Sequence, residues 1–248
     1  MKRRRIVILG DIHDQQEQLA ASLDLLPEEA TDLALIAGDV GIDPPWTSPA
    51  RETGRAAHDA SMVRTVRHVE QRLGCPVLFV PGNHDLQHPI ESLGRYNCDR
   101  KAVGIAGISI VGFGGAGPTP FGFPYEWSEQ EAEEILEGCL SGWEGNLDIF
   151  LSHSPPVNCT LDRTERGEHV GSAAVRKWLG LVRPKLFVCG HIHESWGVEE
   201  VEGVPCLNAG AFGEPYGEEA LVWVVEWDES GPERIVSVWG YAEKEWLS

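Results

Sequence analysis

The sequence predicts an α/β fold in a single domain spanning residues 1–248. Three observations predict it. The first half alternates short β-branched apolar runs with segments whose apolar residues recur at helical spacing. The last third is strand-rich. Most of the runs are continuous rather than alternating, as in strands buried on both faces. One sheet covered on both sides, or two sheets packed face to face and flanked by helices, accounts for that order.

Element by element, residues 6–9 open the chain as a strand behind the basic start Met1-Lys2-Arg3-Arg4-Arg5, read as its solvated beginning. Leu19, Leu23 and Leu26 form a helical stripe ahead of Pro27. Residues 33–37 are the second strand. Residues 42–57, with Asp43-Pro44-Pro45-Trp46, read as a long loop. Met62, Val66, Val69 and Leu73 form the next helical stripe, closed by Gly74 as C-cap. Strands follow at 77–80 and 108–113, and the Gly-, Pro- and aromatic-rich stretch 113–127 reads as a second long loop. Loops of this length in a compact domain are often functional, so both are candidate rims over a pocket, with plain surface insertion as the alternative. Ser128 and Glu131 make a capping box for a helix through Leu140. Residues 149–151 form a strand, and Ser172 caps a helix to about Val182 that must stop before Pro184. Four further runs, 186–188, 204–207, 221–225 and 235–239, complete the strands. There is no internal repeat.

Composition narrows the function. The 248 residues are 42% hydrophobic and 24% charged, ordinary for a globular protein. No apolar run reaches the roughly 20 residues of a membrane span, and the basic start lacks the core and cleavage site of a secretory leader. The six cysteines are scattered without a C-x-x-C pair, which predicts reduced thiols in a cytoplasmic protein. Cys189, one residue before a histidine motif, reads as a buried strand-end residue. The formal net charge of −19 argues against tracking a nucleic-acid backbone and for a small substrate. Oligomeric state leaves no mark in the sequence.

Five short elements carry the chemistry: Gly10-Asp11-Ile12-His13, Gly38-Asp39, Gly82-Asn83-His84-Asp85, Ser152-His153-Ser154 and Gly190-His191-Ile192-His193. Most follow a predicted strand, and ligands gather at the carboxyl ends of strands in open α/β sheets. The adjacent glycines let the backbone turn sharply. Asp11, His13, Asp39, Asn83, His153, His191 and His193 form the donor set of a two-metal hydrolytic centre. Mixed carboxylate, amide and imidazole donors favour two divalent ions, manganese first, with iron or zinc as alternatives, and suit calcium less. The ions' roughly four positive charges outweigh Asp11 and Asp39 and make the pocket locally cationic. Asp39 can bridge them, and a water shared between them loses its proton near neutral pH and becomes the nucleophile. His84 is the candidate catalytic residue, donating a proton to the leaving oxygen, with Asp85 expected to orient its ring. His58, His68 and His88 read as ordinary residues. His169, in Gly167-Glu168-His169-Val170-Gly171, is a candidate to border the substrate.

From Asp11 to His193 these motifs resemble the calcineurin-like metallophosphoesterase superfamily. The resemblance implies a four-layer α/β/β/α sandwich. It also implies that Asp11, His13, Asp39 and His193 hold one metal, and that Asp39, Asn83, His153 and His191 hold the other. His84 would be the acid or transition-state histidine. Where the phosphoprotein-phosphatase branch has a glycine, an Asp-Arg-Gly element and a glutamate, this chain has Asp14, Val40-Gly41 and Asp85. Gly-Asn-His-Asp with a Gly-His-x-His ending is similar to class III cyclic-nucleotide phosphodiesterases. Ser152-His153-Ser154-Pro155-Pro156 and Arg183-Pro184 resemble the metallophosphoesterase-domain proteins. The expected function is hydrolysis of small phosphodiesters, cyclic nucleotides among them, by a metal-bridging hydroxide. The alternatives are a phosphomonoesterase acting on nucleotides, metabolites or phosphoproteins and, in a different class, a non-catalytic binding module on the same scaffold.

Overall fold

A computed structural model describes residues 3–43, 51–141, 143, 145–212, 221–239 and 242–246, with the side chains of 51–53, 239 and 242–246 outside that description. All nine expected strands form, within three residues of their expected ends: β1 (Arg4–Leu9), β2 (Leu33–Ile36), β3 (Val77–Phe79), β5 (Ile108–Phe113), β6 (Ile149–Ser152), β7 (Leu186–Cys189), β9 (Val204–Asn208), β10 (Val222–Trp227) and β11 (Pro232–Trp239). Three more, β4 (Ala102–Ile105), β8 (Gly197–Val201) and β12 (Ala242–Trp246), carry no continuous apolar run. They build two six-stranded mixed sheets, ordered β12-β11-β10-β1-β2-β3 and β4-β5-β6-β7-β9-β8. The three unforeseen strands all lie at sheet edges; β4 alternates exposed and half-buried residues.

The helices are α1 (Gln16–Asp24), α2 (Arg51–Leu73), α3 (Glu129–Leu140) and α4 (Ala173–Val182). Ser128 Oγ accepts from Glu131 N–H while Glu131 reaches back to the Ser128 N–H, so the capping box is present. Ser172 Oγ accepts from Val175 N–H; caps of this kind contribute about 1 kcal/mol each. Gly74, at φ +64°, ends α2 with its N–H on Glu70 O. The expected loop at 42–57 is corrected at its far end, because Arg51 already lies in α2; positions 44–50 are outside the described residues. Residues 55–57 are exposed, so the apolar stripe marking this helix begins only at Met62. Arg5 also departs from expectation. It is buried, with its guanidinium donating to Pro27 O (3.3 Å) and Glu29 O (3.0 Å).

Alternation along the strands explains the layers. On β1, Ile6 and Ile8 face a core shared with Ile110, Ile149, Leu151, Val188 and Trp223, which is the space between the two sheets. Val7 and Leu9 face the opposite way, against Leu19, Leu23, Met62, Val66 and Val69 of α1 and α2. Val111, Phe150 and Phe187 likewise turn from the sheet interface toward Leu136, Val175 and Leu179 of α3 and α4. Strands buried on both faces follow directly, and the result is the four-layer α/β/β/α sandwich.

Candidate metal centre

Strands β1, β2 and β3 run parallel, as do β5, β6 and β7. Their carboxyl ends therefore share one rim of the sandwich, and the motif residues sit just beyond them. The backbone there is forced: Asp11 (φ 46°), His13 (φ 46°), Asp39 (φ 49°) and His191 (φ 71°) all occupy the left-handed region. Such conformations cost of order 1–3 kcal/mol each and persist where surrounding structure holds them. The hydrogen bonds do so here. Asp11 N–H donates to Gly38 O (3.0 Å), His13 N–H to Asp39 O (2.8 Å), and Phe212 N–H to Asp11 O (3.1 Å).

Six of the seven expected donors meet side chain to side chain, and His191 joins them through its backbone N–H and a tilted ring contact. Donor atoms of Asp11, His13, Asp39 and His193 lie within 4.8 Å of one another, a group that could hold a metal. His193 Nε2 is 3.2 Å from Asp11 Oδ1, and the Asp11 carboxylate accepts the His191 N–H. Asp39 Oδ2 stands 3.7 Å from His13 Nε2 and 3.6 Å from His153 Nε2. The His191 ring packs on His153, centroids 5.0 Å apart. Asp11, His13, Asp39, Asn83 and His153 are buried, whereas His84, His191 and His193 are half-buried.

The donor chemistry fits a cation. His153 Nδ1 is 2.7 Å from Ala37 O, a pure acceptor, so Nδ1 carries the proton and donates. Its other nitrogen, Nε2, lies 2.9 Å from Asn83 Oδ1, with Asp39 Oδ2 3.6 Å away. With Nδ1 engaged by Ala37 O, Nε2 and the two oxygens of Asn83 and Asp39 converge on one buried spot and could serve a metal ion together. The approach is so close that side chains are excluded around it. A Cβ on Gly82 would come 1.9 Å from Asp39 Oδ1, and one on Gly190 2.2 Å from Asp11 Oδ2.

Electrostatics agree with this packing. Burial pushes the Asp11 carboxyl up, but the hydrogen bond and charge of His193, with His153 and His13, bring it down to about 2. Burial and the neighbouring His153 hold His191 well below the usual imidazole range, in the neutral form that could bind a metal. For His84, burial lowers the pKa, while the Asp43 hydrogen bond and the charges of Asp39, Asp43 and Asp85 raise it to about 9.

Asp43, which the sequence motifs leave out, is the partner of His84: its Oδ1 lies 2.6 Å from His84 Nδ1. Its other oxygen is 3.5 Å from His13 Nδ1, and His13, Asp43 and His84 form a second group that could hold a metal. The only sequence signal is an acid four positions after Asp39, in a loop at the rim. Asp85 does not orient the His84 ring as expected. It is fully buried and accepts from the N–H groups of Val40, Gly41 and Gly82, tying the second and third motifs together. His169 is tied to buried Asp162 (Nδ1 to Oδ1, 2.6 Å), and a groove of about 610 Å³ lined by Arg163, Thr164, Glu194 and Trp196 opens next to His193. All six cysteines are free, and burial raises the Cys189 thiol well above its ordinary pKa, as for an inert core residue.

Residues 4–195 match the calcineurin-like phosphoesterase family. The chain belongs to that family. This calcineurin-like phosphoesterase is 37% identical over 139 residues to an uncharacterised protein of Methanocaldococcus jannaschii, covering 53% of this chain and 62% of that one. It is 27% identical over 128 residues to a Pseudoalteromonas protein named "Probable cyclic nucleotide phosphodiesterase", covering 50% of this chain and 46% of the relative. The matched regions thus span about half to three fifths of those relatives' lengths. Among solved structures, the TT1561 protein of Thermus thermophilus shares the fold at 17% identity and a TM-score of 0.58, over 89% of this chain and 94% of that one. A dimetal phosphatase from Danio rerio shares it at 12% identity and a TM-score of 0.53, over 98% of each. No described helix is long and apolar enough to cross a membrane.

Proposed function

We propose that this phosphoesterase is a dinuclear metal enzyme that hydrolyses small phosphodiesters, cyclic nucleotides among them, with residues 1–248 acting as one catalytic domain. The observation that carries the reading is Asp39, whose Oδ2 stands between His13 and His153, donors from opposite sheets. In this reading Asp11, His13, Asp39 and His193 hold one ion, and Asp39, Asn83, His153 and His191 the other. Two bound divalent ions, manganese first, supply positive charge for phosphate oxygens and acidify bound water. The phosphodiesterase-like motif pattern and the name of the Pseudoalteromonas relative support the diester class.

The protein's own residues do the rest. His84 projects from the rim next to Asn83, and Asp43 holds its Nδ1, which turns Nε2 toward the reacting ester to give a proton to the leaving oxygen. The His84 backbone N–H donates to Asp39 Oδ1 (3.0 Å), fixing the acid relative to the carboxylate that would serve both ions. The buried floor excludes water from the donors, while half-buried His84 and His193 face the substrate side.

A kinetic screen of manganese-loaded protein tests the proposal. Bis-(p-nitrophenyl) phosphate and cyclic nucleotides should be cleaved in preference to p-nitrophenyl phosphate; a strong monoester preference would convert the reading to a phosphomonoesterase. Metal content of the purified protein separates an enzyme from a binding module. His84→Ala should keep its metal and lose about 10²- to 10⁴-fold in kcat.

A further inference from the structure

An aromatic row runs outward from the metal centre. His13 lies edge-on to His193 (centroids 5.5 Å) and to His84 (5.0 Å). Phe123 stacks on the His84 ring, 3.7 Å away with planes 27° apart, and Phe121 follows 5.9 Å beyond Phe123. Phe121 is 77% exposed, more than any other large hydrophobic among the described residues. A lone exposed phenylalanine needs no explanation. One that continues a row starting at the reacting centre does.

The stretch carrying these rings is firmly rooted. Gly115 N–H donates to Pro81 O (2.9 Å) and Tyr125 N–H to Asn83 O (3.2 Å), so both ends grip the strand-to-motif segment that carries His84. Tyr125 OH donates to buried Asp99 (2.8 Å), Trp127 Nε1 to Gly114 O (2.9 Å), and Thr119 N–H to Glu126 Oε1 (3.0 Å). The tip is therefore held in register with His84 while presenting an unburied π face.

We propose that Phe121 and Phe123 form a subsite for the flat ring of an aromatic phosphate ester, above all a nucleobase, that holds the ring while its phosphate reaches the metal centre. The inference rests on the phosphoesterase reading and specifies its substrate class. Recognition through a π face is tolerant of base identity, and an apolar subsite on a chain of net charge −19 favours a neutral ring over a second anionic group. The subsite thus selects esters that carry a ring without choosing strongly among bases.

Calorimetric binding of adenosine monophosphate and ribose 5-phosphate to the metal-loaded full chain tests this, because the base is what the second ligand lacks. Wild-type protein should bind the nucleotide about tenfold more tightly, and Phe121→Ala should remove most of that preference while leaving ribose 5-phosphate unchanged. Phe121→Trp, which keeps a π face, should restore it. Equal affinities in the wild type, or a preference that survives Phe121→Ala, would overturn the subsite. Turnover of 2′,3′-cyclic adenosine monophosphate in the same preparations separates the two readings. A ring preference without turnover of this ester or of bis-(p-nitrophenyl) phosphate supports the subsite and removes the diesterase assignment, whereas turnover without ring preference does the reverse.

Discussion

The two sheets contribute unlike halves of the centre. The β1-β2-β3 side carries all the proposed oxygen donors, Asp11, Asp39 and Asn83, with one imidazole, His13. The β5-β6-β7 side supplies imidazoles alone, His153, His191 and His193. Each half is incomplete, and they are joined by contacts that cross the sandwich: His193 to Asp11, His153 to Asn83, and His153 to the Ala37 carbonyl. The centre is thus a product of sheet-on-sheet packing as much as of its motifs. Its stability and its metal affinity should move together.

The residue that belongs to both halves gives the largest expected effect. Asp39→Ala removes the oxygen between His13 and His153, so activity should fall on the order of 10³-fold or more, the scale of losing a principal electrostatic contact to the reacting centre. Metal content, measured by plasma mass spectrometry, should fall with it. An Asp39→Ala protein that keeps both metal and rate would break the view that the halves meet at this carboxylate.

A hole in the shared core comes next. Trp223 is fully buried between the sheets with its Nε1 on Ala209 O (3.0 Å), and Trp223→Ala should cost about 3–5 kcal/mol. Leu136→Ala, in the layer between α3 and its sheet, should cost about 2–5 kcal/mol. The two layers should differ in what such a hole does to the metal. The hole at Trp223 should weaken metal binding, whereas the one at Leu136 should leave it intact, as titration against each folded variant would show. Equal metal affinities would mean that each sheet holds its donors independently of the other.

Legibility in the sequence divides along the same physical line. Ile6–Leu9, Ile149–Leu151 and Leu186–Val188 announce themselves because strands buried on both faces must be apolar throughout. Glu199 and Glu200 sit in a strand too, but at a sheet edge, where part of the side chains meet water and no run survives. The motif donors are legible because sharp turns beside glycines carry a local signature. Asp43 and Phe123 are not, since what makes them matter is a neighbour, His84, that lies 41 and 39 positions away in sequence. Asp85 shows the converse: motif membership suggested a partner for the His84 ring, but the three backbone N–H groups around it decide that it is a clasp.

Removing metal should have a smaller effect, and one that both halves share. A ligand that binds only the folded state at about 100 times its Kd contributes roughly 2.7 kcal/mol. Chelation should therefore lower the thermal midpoint, and excess manganese should restore it. Because buried Asp11 and Asp39 stand near one another with imidazoles between, the metal-free protein should lose protection from hydrogen exchange first at the crossing contacts, around residues 11–13 and 190–193. Loss of protection confined to one sheet's loops would show that the donors are organised by that sheet alone.

The smallest effect sharpens the boundary between binding and catalysis within the first half. Asp43 touches both His84 (2.6 Å) and His13 (3.5 Å), one assigned to proton donation and the other to metal binding. Asp43→Asn keeps the shape and an acceptor oxygen but removes the charge. If Asp43 acts by positioning His84, kcat should fall about tenfold, near 1.4 kcal/mol, with KM and metal content unchanged. The loss should vanish in a His84→Ala background, where there is no ring left to position. If instead His13, Asp43 and His84 together hold an ion, Asp43→Asn should lower metal content and its effect should persist without His84. The double-mutant cycle thus decides whether the metal centre ends at His13 or extends one residue further along the rim.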